Sequence, residues 1–434
     1  MKMRTDFKTE LIAGFTTFLS TVYIVIVNPE ILSRAGIPFA AVVTATVLTA
    51  ALSSIFMGLY ADIPIVLAPG MGLNAFFTYT VVKANGVPWE TALGIVFWSG
   101  IIFIALSILN VRSKIVDAFP TPLRYAISGG IGLFIALIGF KNGNFVVGNP
   151  DTLLAQGHLT PVAITFLAGL LLTSVLVIMK VRGALLIGII LTTVFAFPIG
   201  RWWGDASTLN NGIATLVTWK GFFSAPDFSA VFKCNILDAL KWIHIPIMFS
   251  FVFSDMFDSL STLIGVCVSA NILDEKGNPK NLKKALIVDG FASAAAGVLG
   301  SSSGTSYVES AAGVEAGGRT GLTAIIAGLL FLPLLFLSPI VSIVPGIATA
   351  PVLVLVGVFM MSPLLKINWV NMEEAIPCFL GSMLIPFTFS ITSGIVWAIL
   401  AWTFLKLFTG QWRKISITLW VLDAFAILSL AVSH

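Results

Sequence analysis

The sequence predicts an all-α polytopic membrane protein of fourteen spans. They form two inverted repeats of seven, with spans 3 and 10 broken by short extended strands. Three observations predict this fold. Of 434 residues, 57% are hydrophobic and only 10% charged, with a mean hydropathy of +1.00; an ordinary soluble domain carries roughly 25% charged residues. Apolar runs of membrane length recur along the whole chain. A constant offset of 241 residues relates short motifs in its two halves.

A helix needs about 20 apolar residues to cross the hydrocarbon. That length places spans at 11–28, 39–60, 64–83, 91–110, 121–140, 160–180 and 184–200, then at 242–270, 283–299, 302–317, 320–344, 346–363, 373–390 and 391–409. A polar stretch, 201–241, separates the two sets, and a further apolar run, 415–432, follows Arg413 and Lys414. No cleavable leader is expected, because no small-residue cleavage site follows the first apolar run. With the N-terminus in the cytoplasm, the segments on that side hold Lys2, Arg4, Lys8, Arg112, Lys114, Arg124, Lys180, Arg182, Lys276, Lys280, Lys283, Lys284, Arg319, Lys366, Lys406, Arg413 and Lys414. The opposite side holds only Arg34, Lys83, Lys141, Arg201, Lys220, Lys233 and Lys241, four of them in the long central loop. The bias satisfies the positive-inside rule.

The repeat rests on three matches. Leu19–Thr21 falls on Leu260–Thr262, Ile31–Leu32 on Ile272–Leu273, and Gly72 on Gly313. Seven spans per half is odd, so the second copy enters from the opposite side, as in many secondary transporters. Span 3 carries Pro69, Gly70 and Gly72, poor material for a helix interior, with Asn74 in the first turn of the helix that follows. Span 10, from Ser301 to Gly313, has a similar polar, extended entry followed by small residues. Two such breaks in matching positions point to a midplane binding site. Non-helical backbone is tolerated at that depth only where protein or a watery cavity satisfies it, and helix N-termini there present free N–H groups to a ligand.

Carboxylates mark the same region. Asp255 and Asp258 interrupt the apolar run from Ile243 to Ala270, and Glu309 lies between two further apolar runs. An ionisable group at bilayer depth normally faces a cavity and serves a pathway or a proton relay. Asp255, Asp258 and Thr262 stand at i, i+3 and i+7, on one helix face. Asp258 and Glu309 are therefore read as ligand-binding and proton-coupling groups. Asp255 is either a second such group or part of a structural polar cluster. Glu315 and Arg319 are expected to form an ion pair, and Asp289 to bond locally. Asp423 lies in the last run. His158, His244 and His434 are not placed as metal ligands, and Cys234, Cys267 and Cys378 give neither a disulfide framework nor a metal spacing. Trp202, Trp203, Trp219, Trp242 and Trp412 lie near span ends, as interfacial anchors do.

The composition also excludes function classes. A net charge of +4 is too small to suggest nucleic acid as partner. No H-E-x-x-H, no G-x-S-x-G with partners and no nucleotide loop is present, which argues against an enzyme. No repeated ring of charges or carbonyls suggests a channel.

The chain resembles the nucleobase–cation symporters related to the nucleobase–ascorbate transporters, most nearly their purine-permease branch. The resemblance rests on Ala13–Phe18, Ala68–Phe77, Met256–Ser259 with Thr262–Gly265, Tyr307–Ser310 and Gly317–Thr323, and it runs over nearly the whole chain. It implies repeats at 1–200 and 242–409, an extracytoplasmic linker at 201–241 and a C-terminal segment at 410–434 beyond the fourteen-span plan. Spans 1–4 and 8–11 would form a moving core, and spans 5–7 and 12–14 a gate through which the protein dimerises. The family's two base-binding acids correspond to Asp258 and Glu309. Thr262 stands where related uracil carriers have a histidine. Met71 would offer backbone groups to the base, Tyr307 and Val308 would flank it, and Thr17, the offset partner of Asp258, would face the same cavity. Ser261 departs from a frequent glycine, and Phe76 or Phe257 could stack on the ring.

The resemblance further implies proton-coupled purine uptake across a bacterial inner membrane, with the proton as coupling ion and no cofactor. A carboxylate accepts from N1–H and the 2-amino group of guanine, or from N1–H of hypoxanthine, so these bases are favoured over adenine. The alternative is an anion carrier of the same fold, for sulfate or bicarbonate, against which both acids argue.

Overall fold

The computed structural model describes residues 6–109, 119–207, 213–219, 221–273 and 279–432. Of the cations that set the expected orientation, Lys2, Arg4, Arg112, Lys114, Lys220 and Lys276 lie outside the described residues, as does His434.

The first half begins with α1 (Phe7–Thr21), α2 (Ile24–Leu32) and α3 (Phe39–Phe56). Strand β1 (Leu67–Pro69) leads into α4 (Met71–Ala75), which continues as wide π-helical turns to Ala84. Then come α5 (Trp89–Ile108), α6 (Thr121–Asn142), a hairpin of β2 (Val146–Asn149) and β3 (Leu153–Gln156), α7 (Pro161–Ile178) and α8 (Ala184–Ala196). The second half holds α9 (Ile245–Ser269), α10 (Leu282–Leu299), β4 (Gly304–Ser306), α11 (Ser310–Glu315) and α12 (Gly321–Phe331). It ends with α13 (Ser338–Val341), α14 (Gly346–Met361), α15 (Met372–Thr388), α16 (Ile391–Phe408) and α17 (Ile417–Val432).

Among the described residues, eight helical stretches are long and apolar enough to cross a membrane, at the predicted spans 1, 2, 4, 5, 6, 8, 12 and 14. Ala184–Ala196 and Gly321–Phe336 are apolar but shorter. The protein is thus a predominantly helical, multi-pass membrane protein, and the two predicted breaks are strands β1 and β4. Span 11 is interrupted as well: its helix tightens to a 3₁₀ turn at Leu332–Phe336, where Pro333 cannot continue the α-helical ladder. The first span breaks too, in a turn at Val22–Tyr23. Neither the Val22–Tyr23 break nor the β2–β3 hairpin follows from apolar run lengths.

Strands β1 and β4 pair antiparallel, with Leu67 opposite Ser306, Ala68 opposite Thr305 and Pro69 opposite Gly304. They begin 237 residues apart, at Leu67 and Gly304, so the 241-residue offset does not hold at this point. Around the pair, α5 packs on α10, α3 on α2, α10 and α12, and α1 on α11 and α12. A second set joins α6 to α14 and α15, α7 and α8 to α14, and α15 to α16. Helix α9 lies between the sets, touching α5, α10 and β4 on one side and α6, α16 and α17 on the other.

Lipid tails are as apolar as side chains, so helices in a bilayer associate through close packing of small residues. Gly58 shows the limit: a Cβ there would lie 2.3 Å from the carbonyl oxygen of Gly321, at the start of α12. Trp202, Trp203, Trp219, Trp242 and Trp412 are all exposed.

Candidate ligand-binding site

Two short strands buried among helices need partners for their backbone groups, and serines supply them. Ser54 Oγ accepts from Leu67 N at 3.0 Å and donates to Leu67 O at 3.1 Å. Val66 N donates to Ser310 Oγ at 3.0 Å, and Gly70 N donates to Ser303 O at 2.9 Å.

The run Ser301–Ser303 then ties the β4 segment to three helices. Asn28 Nδ2 on α2 donates to Ser301 Oγ at 3.1 Å. Ser302 Oγ donates to Asn74 Oδ1 on α4. Ser303 Oγ donates to Asp255 Oδ2 on α9 at 2.9 Å. Asp255, 2% exposed, also accepts from Ser293 Oγ of α10 at 2.5 Å and from Ser259 Oγ at 3.5 Å. Its carboxylate therefore holds α9, α10 and the β4 segment together, the structural polar cluster. Residues three apart on a helix point about 60° apart. That angle turns Asp258 into the adjoining cavity while Asp255 faces the serines.

The cavity has a volume of about 320 Å³, within the range of roughly 300–1,000 Å³ usual for small-molecule sites. From the strand side it is lined by Tyr23, Gly70, Met71, Gly72, Tyr307, Val308 and Glu309, and from α9 by Asp258, Ser261 and Thr262. Ser128 of α6, Phe359 of α14 and Lys366 just beyond α14 face them. Ser362 and Lys366 are exposed at this wall.

Glu309 Oε1 accepts from the Tyr23 hydroxyl at 2.6 Å. No protein hydrogen bond reaches the Asp258 carboxylate among the described residues, so its oxygens are open to a ligand. The Asp258 carbonyl accepts from Ser261 Oγ at 2.9 Å. Tyr307 donates its hydroxyl to Pro69 O at 2.6 Å, leaving its ring rather than its O–H for a ligand. Behind the wall, Ser306 Oγ donates to Asp289 Oδ1 at 3.0 Å, so Asp289 braces strand β4.

The structure brings together Asp258, Glu309, Thr262, Met71, Tyr307, Val308, Gly70 and Gly72 at one cavity. It separates others. Thr17 is fully buried, donates to Ala13 O at 2.9 Å and packs where a Cβ on Gly313 would lie, between α1 and α11. It does not line the cavity. Pro69 and Asn74 act through backbone and side-chain bonds rather than as cavity walls. Phe76 packs on Phe251 with centroids 5.0 Å apart, and Phe257 packs on Phe119 at 4.9 Å; neither is placed to stack on a ligand. Arg319 makes no ion pair with Glu315: its guanidinium donates to the carbonyls of Val314 and Gly318. Those carbonyls close the end of α11, where a cation is favoured.

The sequence reading missed Tyr23, Ser128, Phe359 and Lys366. Tyr23 lies 286 residues from Glu309, and nothing local to either residue marks the pair.

The opposite end of the interface between the two helix sets is tied by polar contacts. Arg34 donates to Asn142 Oδ1 on α6 at 2.8 Å, Ser250 on α9 and Thr392 on α16 share a hydrogen bond of 2.6 Å, and Thr80 Oγ1 donates to Phe389 O. A second cavity of about 600 Å³ lies there, with His244 and Ser393 in its wall.

Comparison with known proteins bears on the family and the fold. A family described as the permease family matches residues 8–397. The adenine permease AdeP of Escherichia coli (strain K12) is 41% identical over 415 residues, covering 95% of this chain and 90% of its own. The guanine/hypoxanthine permease PbuO of Bacillus subtilis (strain 168) is 40% identical over 424 residues, covering 95% of each chain. Among solved structures, the transmembrane domain of a cyanobacterium bicarbonate transporter, BicA, superposes with a TM-score of 0.64 at 14% identity, covering 91% of this chain and 98% of that one. At that identity the likeness is one of fold alone.

Proposed function

This chain belongs to the permease family, and on that premise we propose that it carries purine nucleobases across the membrane at the cavity between β1–β4 and α6–α14. One observation carries the reading: Asp258 and Glu309 line the same cavity of about 320 Å³, beside a strand pair whose backbone is fixed by serines. A carboxylate oxygen accepts from the N1–H of hypoxanthine, and a carboxylate accepts from N1–H and the 2-amino group of guanine together. Adenine offers a ring acceptor at N1 instead, so at that atom it needs a protonated carboxyl or a backbone donor. Guanine and hypoxanthine are the proposed substrates, with adenine taken where a protonated acid or a backbone N–H supplies the donor. Two acids in one cavity disfavour a small inorganic anion.

The proposed cycle couples base movement to a proton bound at Asp258 or Glu309. The fourteen-span plan of two inverted repeats, with core and gate moving past each other and the gate forming a homodimer, fits two helix sets that meet along α9 and at α4 and α2. With the N-terminus cytoplasmic, the cavity opens toward the cytoplasm, the side of Lys366, and the Arg34–Asn142 end faces outside. The protein would then act in a bacterial inner membrane as an uptake symporter.

The test is uptake of radiolabelled hypoxanthine by purine-transport-deficient cells expressing this chain, with and without a protonophore, against excess guanine, adenine, uracil or sulfate. Protonophore-sensitive accumulation blocked by guanine and not by uracil supports the whole reading. Accumulation indifferent to the protonophore removes the proton. Inhibition by sulfate alone overturns the substrate class.

A further inference from the structure

We infer that Tyr23 is the positioning residue for Glu309, and that its hydroxyl decides which carboxyl oxygen meets the base. The inference rests on the purine-carrier reading above. Tyr23 occupies the turn that breaks the first span between α1 and α2, is 1% exposed and lines the cavity. Its hydroxyl lies 2.6 Å from Glu309 Oε1, short enough for a charge-assisted bond.

A phenol has one O–H to give. While Glu309 is ionised, that proton is committed to Oε1; its own backbone N–H is the other protein donor to the carboxylate, and Oε2 is the oxygen that Tyr23 leaves to the ligand. The carbonyl oxygen of a carboxylic acid is a better acceptor than its hydroxyl oxygen, so keeping the Tyr23 donor at Oε1 places the new proton of a protonated Glu309 on Oε2. One atom thus presents an acceptor in one state and a donor in the other. The acceptor suits the N–H edge of guanine or hypoxanthine, and the donor suits the ring nitrogen of adenine. Tyr23 makes the choice between base classes follow the protonation of a single oxygen, without moving the side chain.

The other titratable or charged groups around Glu309 can be named. Tyr307, Asp258 and Lys366 share its cavity. Asp289 accepts from Ser306 behind the wall, Asp255 lies behind the serines, and Glu315 is on the helix that Glu309 begins. None of these donates a hydrogen bond to Glu309 among the described residues.

The test compares wild type, Tyr23→Phe, Glu309→Gln and the double variant in transport-deficient cells. The readouts are KM for guanine, competition by adenine from mildly acidic to mildly alkaline pH, and thermal stability of the purified proteins. Tyr23→Phe is expected to raise KM for guanine roughly tenfold, the scale of one hydrogen bond to a charged group, with maximal rate little changed. Loss of the donor makes the carboxylate easier to protonate, so the pH at which adenine begins to outcompete guanine moves up. In the Glu309→Gln background, Tyr23→Phe is expected to change KM by less than about twofold, because the two residues act as a unit. Replacing Tyr23 by 3-fluorotyrosine keeps its shape and strengthens the donor, so the crossover moves down; this variant decides the matter if Tyr23→Phe does not fold. Additive effects in the double variant, or a crossover that neither change moves, would make Tyr23 a packing residue and overturn the inference. A wild type that neither binds nor carries purines overturns the carrier reading instead.

Discussion

A carboxylate at bilayer depth meets two different environments here, three residues apart. Asp255 is surrounded by hydroxyl donors from Ser293, Ser303 and Ser259, whereas Asp258 opens into the cavity with no protein donor among the described residues. Their substitutions should separate. Asp255→Ala strips buried hydroxyls of their acceptor, each at a cost of about 1–3 kcal/mol, so the thermal midpoint of the purified protein should fall. Asp258→Asn leaves that network intact and should leave the midpoint unchanged or raise it. Its effect belongs to binding: Asp258→Asn or Glu309→Gln should weaken guanine at least tenfold, a hydrogen bond to a charged group being worth about 1.5–3 kcal/mol, as competition assays would register. Undiminished affinity in either variant would remove that acid from the site.

The elements that hold these acids were legible in part. Pro69, Gly70 and Gly72 disfavour helix, and the run Ser301–Ser303 looks extended, so both breaks could be located from residue type. That the two breaks pair as β1 and β4, with Ser54 and Ser310 closing their edges, depends on contacts between distant segments and leaves no periodic trace. The same limit hid Tyr23. Helical spacing put Asp255 and Asp258 on one face, and the roughly 60° between them was enough to give them different neighbours. Helix packing supplies a further prediction. Gly58 and Gly321 touch backbone to backbone, so Gly58→Val should lose about 1–3 kcal/mol through overpacking. Thermal unfolding of the variant would show it, with guanine affinity preserved in the fraction that folds. Retained stability would mean that the wide turns Met57–Ala61 after α3 can move away from α12 at little cost.

At the scale of the whole molecule, polar ties between the two helix sets cluster at the end away from Lys366, through Arg34–Asn142, Ser250–Thr392 and Thr80–Phe389. They favour the arrangement in which the cavity opens toward Ser362. Arg34→Ala combined with Ser250→Ala should shift the balance away from it. A Ser362→Cys reporter should then react several-fold more slowly with a water-soluble thiol reagent; the native Cys267 and Cys378 are buried and Cys234 is half-buried. An unchanged rate would mean that the ties do not bias the equilibrium. The β1–β4 pair carries a last consequence, for how the protein is made. Its strands lie in halves of the chain that leave the ribosome far apart in time, since Gly304 is synthesised 237 residues after Leu67. Until it arrives, β1 stands in the membrane with an open edge, a state that hydrocarbon penalises. The nascent first half must therefore wait in a sheltered, incomplete form, and base binding reports that both halves have been inserted and joined.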